Sequence, residues 1–143
     1  ESMSLATFGA ILGHALALER DAAAFYKEND PPDQDGLGAV LAAACLRRAE
    51  RLERLRREGV SEMILESIQG FEEKDFPLTG KHAEVQQAWR ERAVAVEETR
   101  QRFFEAAADK VPIGEVARQF TRMAKENAEA IARLRQEPAR PKT

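Results

Sequence analysis

Apolar positions recur at alternating spacings of three and four along four stretches of the chain, which is the period of an amphipathic helix. In the first stretch Leu5, Phe8, Leu12, Ala15, Ala22 and Tyr26 share one face, and Ile11, Leu18 and Phe25 widen it. This pattern predicts a helix from Ser4 to Glu28, with Ser4 as its N-cap. Glu19 falls in the middle of the same stripe, an unusual place for a carboxylate. Asn29-Asp30-Pro31-Pro32-Asp33 then breaks the helix, because proline lacks the N–H and clashes with the preceding turn.

The second stretch predicts a helix from Gly38 to Glu58, with Leu41, Cys45, Arg48, Leu52 and Leu55 on its stripe and Gly59 as a C′ glycine. Residues 47 to 57 carry six arginines interleaved with glutamates. Glu50–Arg54 and Glu53–Arg57 have the favourable i,i+4 order, so a solvated, salt-bridged face is expected. A phosphate-binding face is the sharper alternative. Residues 59–81 are less regular. Ser61 to Gln69 is expected to form a short helix, and Gly70, Pro77 and Gly80 punctuate the rest. This connection is too long for a tight helical hairpin and suits a crossover along the length of a bundle.

The third predicted helix runs from Lys81 to Ala108, with Ala93, Val96, Glu97, Phe103, Phe104 and Ala107 inward. The fourth runs from Ile113 to Gln136, with Val116, Phe120, Met123, Ala124, Asn127, Ile131 and Leu134 on its stripe. Pro138 and Pro141 mark a polar tail over residues 137–143.

The two halves of this pattern echo each other, and an internal repeat fixes architecture before any other feature. Glu19 with Phe25 and Tyr26 at +6 and +7 returns 78 residues later as Glu97 with Phe103 and Phe104. Cys45-x-x-Arg48-Ala49-x-x-Leu52-x-x-Leu55 returns 79 residues later as Ala124-x-x-Asn127-Ala128-x-x-Ile131-x-x-Leu134. The chain therefore reads as two copies of a helix pair.

At 143 residues the expectation is one all-α domain over residues 1–143. A chain of this length hides roughly 70% of its unfolded surface. The formal net charge of −3 argues against nucleic acid as a partner. One cysteine excludes an internal disulfide and suits a reducing, cytoplasmic setting. No apolar run reaches membrane-spanning length, so no membrane partner is expected. Leu5 to Leu18 mimics a signal-peptide core but runs straight into Glu19-Arg20-Asp21, and it is read as a helix of the mature protein. Trp89, Phe71 and Phe76 sit in or near the crossover and its exit, where apolar residues either cover the bundle or form a partner surface, and a homodimer is expected. No glycine-rich phosphate loop, nucleophile elbow or Cys-x-x-Cys is present. Cys45 on an apolar stripe reads as an inert core thiol.

Four helices, the long second connection and the doubled Glu-plus-aromatic motif resemble the ferritin-like superfamily, in its rubrerythrin-like branch. The resemblance covers Leu5 to Leu134. It implies a four-helix bundle in which helices 1 and 3 each give a Glu to a di-iron or di-manganese site. Helices 2 and 4 would each give Glu-x-x-His. Glu19 and Glu97 match the first two ligands. Cys45-x-x-Arg48 and Ala124-x-x-Asn127 stand where the two Glu-x-x-His pairs belong, so four of six ligand positions differ. His14 is off the Glu19 stripe and His82 is at the far start of helix 3, so neither repairs the set. A register shifted by two residues would offer Glu50, Glu126 and Glu129 instead, but it turns each helix by about 200° and takes the leucines out of step.

The expectation is thus a bundle with no cofactor, acting as a non-enzymatic binding or structural module. Arg48 bridges Glu19 and Glu97 in this reading, Asn127 fills a remaining hydrogen-bond role, and Arg100 is a possible second cation. Tyr26 is either a partner of Glu97 or a core tyrosine. The alternative is an iron- or manganese-binding oxidoreductase or iron-handling protein with an atypical carboxylate site. A third reading is a small-ligand pocket, its ligand unspecified.

Overall fold

A computed structural model describes residues 7–29, 36–58, 71–78, 89–111 and 114–136. They form four helices: α1 (Phe8–Glu28), α2 (Leu37–Arg57), α3 (Trp89–Lys110) and α4 (Gly114–Arg135). A short 3-10 turn at Glu73–Asp75 lies between α2 and α3. Among the described residues there is no strand, and no helix is long and apolar enough to cross a membrane.

The ends of α1 are fixed by side chains. Thr7, extended at φ −116° and ψ 157°, accepts from the Ala10 N–H at 3.0 Å through its hydroxyl. The cap is therefore Thr7, and the expected cap Ser4 lies outside the described residues. At the other end Asn29 donates from its amide side chain to the Phe25 carbonyl at 2.9 Å. Gly36 precedes α2 in the left-handed region, φ 75°, where a β-carbon would be strained, and α2 starts one residue before the expected Gly38. The expected helix at Ser61 to Gln69, the start of helix 3 with His82, and the tail all fall outside the described residues.

α1 packs along α2, α3 packs along α4, and α1 meets α3 between the pairs. The buried apolar residues divide into two clusters. One holds Phe8 to Leu18 of α1, Ala49 to Leu55 of α2, Phe103 to Val111 at the end of α3, and Val116 to Ala124 of α4. The other holds Ala22 to Tyr26, Leu37 to Cys45, Ala93 and Val96, and Leu134. The first half of α1 thus shares a cluster with the second halves of α2 and α3 and the first half of α4. α2 and α3 consequently run in the same direction, antiparallel to α1 and α4.

The segment 71–78 covers the first cluster. Phe71 and Phe76 are buried and meet Phe103 at ring-centroid distances of 5.5 Å and 5.3 Å. His14 fastens this segment to α1 through a 2.7 Å hydrogen bond between its Nε2 and the Phe76 carbonyl. It also packs against Phe103 at 5.5 Å. Of the two expected roles, covering the bundle or forming a partner surface, Phe71 and Phe76 take the first within their own chain. Trp89 is half-buried, with its ring edge towards Tyr26 at 6.2 Å.

Candidate functional site: a charged layer inside the bundle

Between the two apolar clusters every helix contributes a polar residue, and all are buried: Glu19 from α1, Arg48 from α2, Glu97 and Arg100 from α3, and Asn127 from α4. The helical period explains their meeting. Each lies on the stripe that faces the core, and Glu97 and Arg100, three apart, share a face.

Arg100 is the centre of the layer. Its Nη2 donates to Glu97 Oε2 at 2.6 Å, and its Nη1 donates to the Val96 carbonyl at 3.2 Å. Its Nε lies 3.3 Å from Glu19 Oε2, an ionic contact whose alignment falls short of a hydrogen bond. Arg48 donates from Nε to Glu19 Oε2 at 3.1 Å and reaches outward with Nη1 to Glu126 Oε1, also at 3.1 Å. The expected roles are thereby redistributed. Arg100, expected only as a possible second cation, contacts both glutamates. Arg48, expected to bridge Glu19 and Glu97, pairs with Glu19 and Glu126. Its forked head is drawn to the α2–α4 edge, where Glu126 lies one residue before Asn127.

Glu97 is the most fully satisfied group. Tyr26 donates its hydroxyl to Oε2 at 2.5 Å, and Asn127 donates from Nδ2 to Oε1 at 2.9 Å. Tyr26 is therefore a hydrogen-bond partner of Glu97 as well as a core ring. Burial alone would raise the Glu97 pKa, but Arg100, Arg48 and the two hydrogen bonds outweigh it and hold the carboxylate below its usual range. Burial and the nearby Glu97 charge push the Tyr26 phenol up. For Arg100 burial opposes the charge, yet Glu97 overcomes that and raises its pKa. Arg48 is raised likewise, burial being outweighed by Glu19. Both guanidiniums therefore stay charged, and they balance the two carboxylates one for one.

Cys45 faces this layer from α2, 3.7 Å from Arg48 Nη2, and burial pushes its thiol up to about 12. It is fully buried and inert as a nucleophile at neutral pH. Glu19 Oε1 and Asn127 Oδ1 are buried and accept no hydrogen bond from a described residue.

The arrangement does not fit a di-iron or di-manganese centre. Such a centre needs oxygen and imidazole donors converging from four helices. Here guanidinium groups lie against both carboxylates, and two free acceptor atoms are no substitute for the missing donors. No group of three or more His, Cys, Asp or Glu among the described residues is placed to hold a metal ion. His14 is engaged with segment 71–78, while Glu50 and Glu129 are exposed.

Outside the layer, Glu126 Oε1 accepts from both Arg48 and Arg51, the latter at 2.9 Å. Burial would raise the Glu126 pKa, but these two arginines outweigh it and lower it. Glu53 pairs with Arg20 of α1 at 2.7 Å rather than along α2 with Arg57. The α2–α4 edge is open, and a groove of about 460 Å³ runs along it. The contact of Glu126 with Arg48 is not evident from the apolar stripes, because Glu126 lies off the stripe of α4. The available signal was its position beside Asn127, facing the arginines of α2.

Comparison with protein-family models, curated proteins and solved structures finds no match.

Proposed function

We propose that the chain is a ferritin-like bundle of the rubrerythrin-like kind in which an arginine–glutamate layer replaces the di-metal centre, and that it serves as a non-enzymatic binding or structural module. The parallel course of α2 and α3 supports the ferritin-like reading. α2 ends in one apolar cluster and Trp89 opens α3 against the other, so the end of α2 and the start of α3 lie at opposite ends of a bundle about 30 Å long at 1.5 Å per residue. Arg48 and Asn127 stand where the resemblance places histidines, and Cys45 and Ala124 where it places glutamates. The observation that carries the proposal is the pairing of Glu19 and Glu97 with Arg48 and Arg100 at 2.6–3.3 Å.

The test is metal content. Protein produced with iron and manganese supplied, then desalted, is analysed by mass spectrometry of its metals. Substoichiometric iron, manganese and zinc is the expected result. One or two metal ions per chain, lost in Glu19→Gln, would establish the oxidoreductase or iron-handling reading instead.

A further inference from the structure

We propose that the α2–α4 groove binds an amphiphilic organic anion, its charged head held by Arg48 and Arg51 in competition with Glu126 and its apolar tail lying on Val40, Leu41 and Ala130. The inference names a ligand class for the module proposed above and rests on that reading.

The groove has the size of a small-ligand site, about 460 Å³. It is polarised along its length. Arg47, Arg48, Arg51 and Arg54 line one part of the α2 wall, and Val40, Leu41 and Ala44 line the other. Along the helix axis Val40 lies about 12 Å from Arg48 and about 16 Å from Arg51, from a rise of 1.5 Å per residue, and helical side chains that lean back toward the N-terminus shorten that span. Val40 is 44% exposed, one of two exposed large hydrophobic residues among those described. An apolar tail laid there would cover it.

The head site is already built for an oxyanion. Arg48, 4% exposed, and Arg51 converge on one oxygen of Glu126, so the chain's own carboxylate shows what the fork binds. Arg51 Nε is buried and finds no acceptor among the described residues. Arg47, Arg54 and Arg133 line the same groove and form no ion pair with another described residue. With Arg48 balanced by Glu19, the four arginines Arg47, Arg51, Arg54 and Arg133 against Glu50, Glu126 and Glu129 leave the lining one positive charge in excess. Two of those glutamates, Glu50 and Glu129, interrupt the arginines and deny a nucleic acid the continuous basic track it needs. A compact monoanionic or dianionic head meets no such obstacle.

Isothermal titration with octyl phosphate, 1-octanol and inorganic phosphate tests this on the full chain. Octyl phosphate, kept below its micelle concentration, is expected to bind one per chain. Octanol and phosphate should each bind at least about tenfold more weakly, since each lacks one half of the recognition. Glu126→Gln should tighten octyl phosphate severalfold by removing the competing carboxylate. Arg51→Gln and Val40→Asp, both at partly exposed positions and checked for folding by circular dichroism, should each weaken it about tenfold. No saturable binding by the parent and Glu126→Gln would overturn the proposal, as would binding indifferent to Arg51→Gln and Val40→Asp. Phosphate binding as tight as octyl phosphate would reveal an adventitious ion only and would overturn it too. If Glu126→Gln does not fold, the other two variants decide. Metal content is read separately, so a failed titration leaves the metal-free centre standing and a metal-loaded centre leaves the titration interpretable.

Discussion

Glu97 and Arg100, one turn apart on α3, close a 2.6 Å ion pair that is out of water on both sides. A buried pair of this kind adds little over a well-packed apolar core, because desolvation offsets the attraction. Breaking it is another matter, since one charge is then left alone. Arg100→Leu strands Glu97 and one side of Glu19. It is expected to cost about 3–5 kcal/mol, read as a fall in the urea midpoint at neutral pH. An unchanged midpoint would show that the layer is not under the electrostatic tension its geometry implies.

Arg48→Leu is expected to destabilise by less than Arg100→Leu. Glu19 keeps its contact with Arg100, and Glu126 keeps Arg51. A loss equal to or greater than that of Arg100→Leu would reverse the ranking of the two cations.

The Glu97 carboxylate has a folded pKa below its unfolded value of about 4.3. Its contribution to stability is therefore present above about pH 4.3 and is lost as pH falls through the lower, folded pKa. Glu97→Gln should be less stable than the parent at pH 7, and the gap should close as pH drops below about 4.3. Glu126 titrates in the same direction from its rim position. Paired urea titrations at pH 7, 5 and 3 measure the effect, and a gap that widens on acidification would contradict it.

Tyr26→Phe removes the donor to Glu97 Oε2 while Arg100 still holds that oxygen. The expected cost is about 1.5 kcal/mol, at the low end for a hydrogen bond to a charged group. Thermal melts of the parent and variant give the value.

Cys45 should react with a thiol reagent only after unfolding, because burial both shields it and suppresses its thiolate. Labelling at pH 8 with and without urea tests this. Rapid labelling of the folded chain would mean that the layer opens readily.

Much of this site was legible in the sequence because a core-facing stripe tolerates few charges. Glu19, Arg48, Glu97 and Asn127 each interrupt an apolar stripe at helical spacing, and the fold brings all four together. The rank of Arg100 was harder to see. Its spacing of three from Glu97 placed it on the right face, but periodicity does not say how far a long side chain reaches along the bundle. Side-chain direction also misdirects charge-pattern rules, as Glu53 shows by crossing to Arg20. The cap at Thr7 was missed because Ser4 and Thr7 are both good N-caps, and the choice between them rests on where the first turn meets the core.

The sandwiching of one charged layer between two apolar clusters sets the vertical alignment of the helices. Leucine and alanine stripes alone would let a helix slide by one turn, about 5.4 Å, with modest loss of contact. Here the same slide would carry Glu19, Arg48, Arg100 or Asn127 out of reach of its partners and into hydrocarbon. The layer works as an indexing pin, and its worth lies in the neighbouring registers it makes inaccessible.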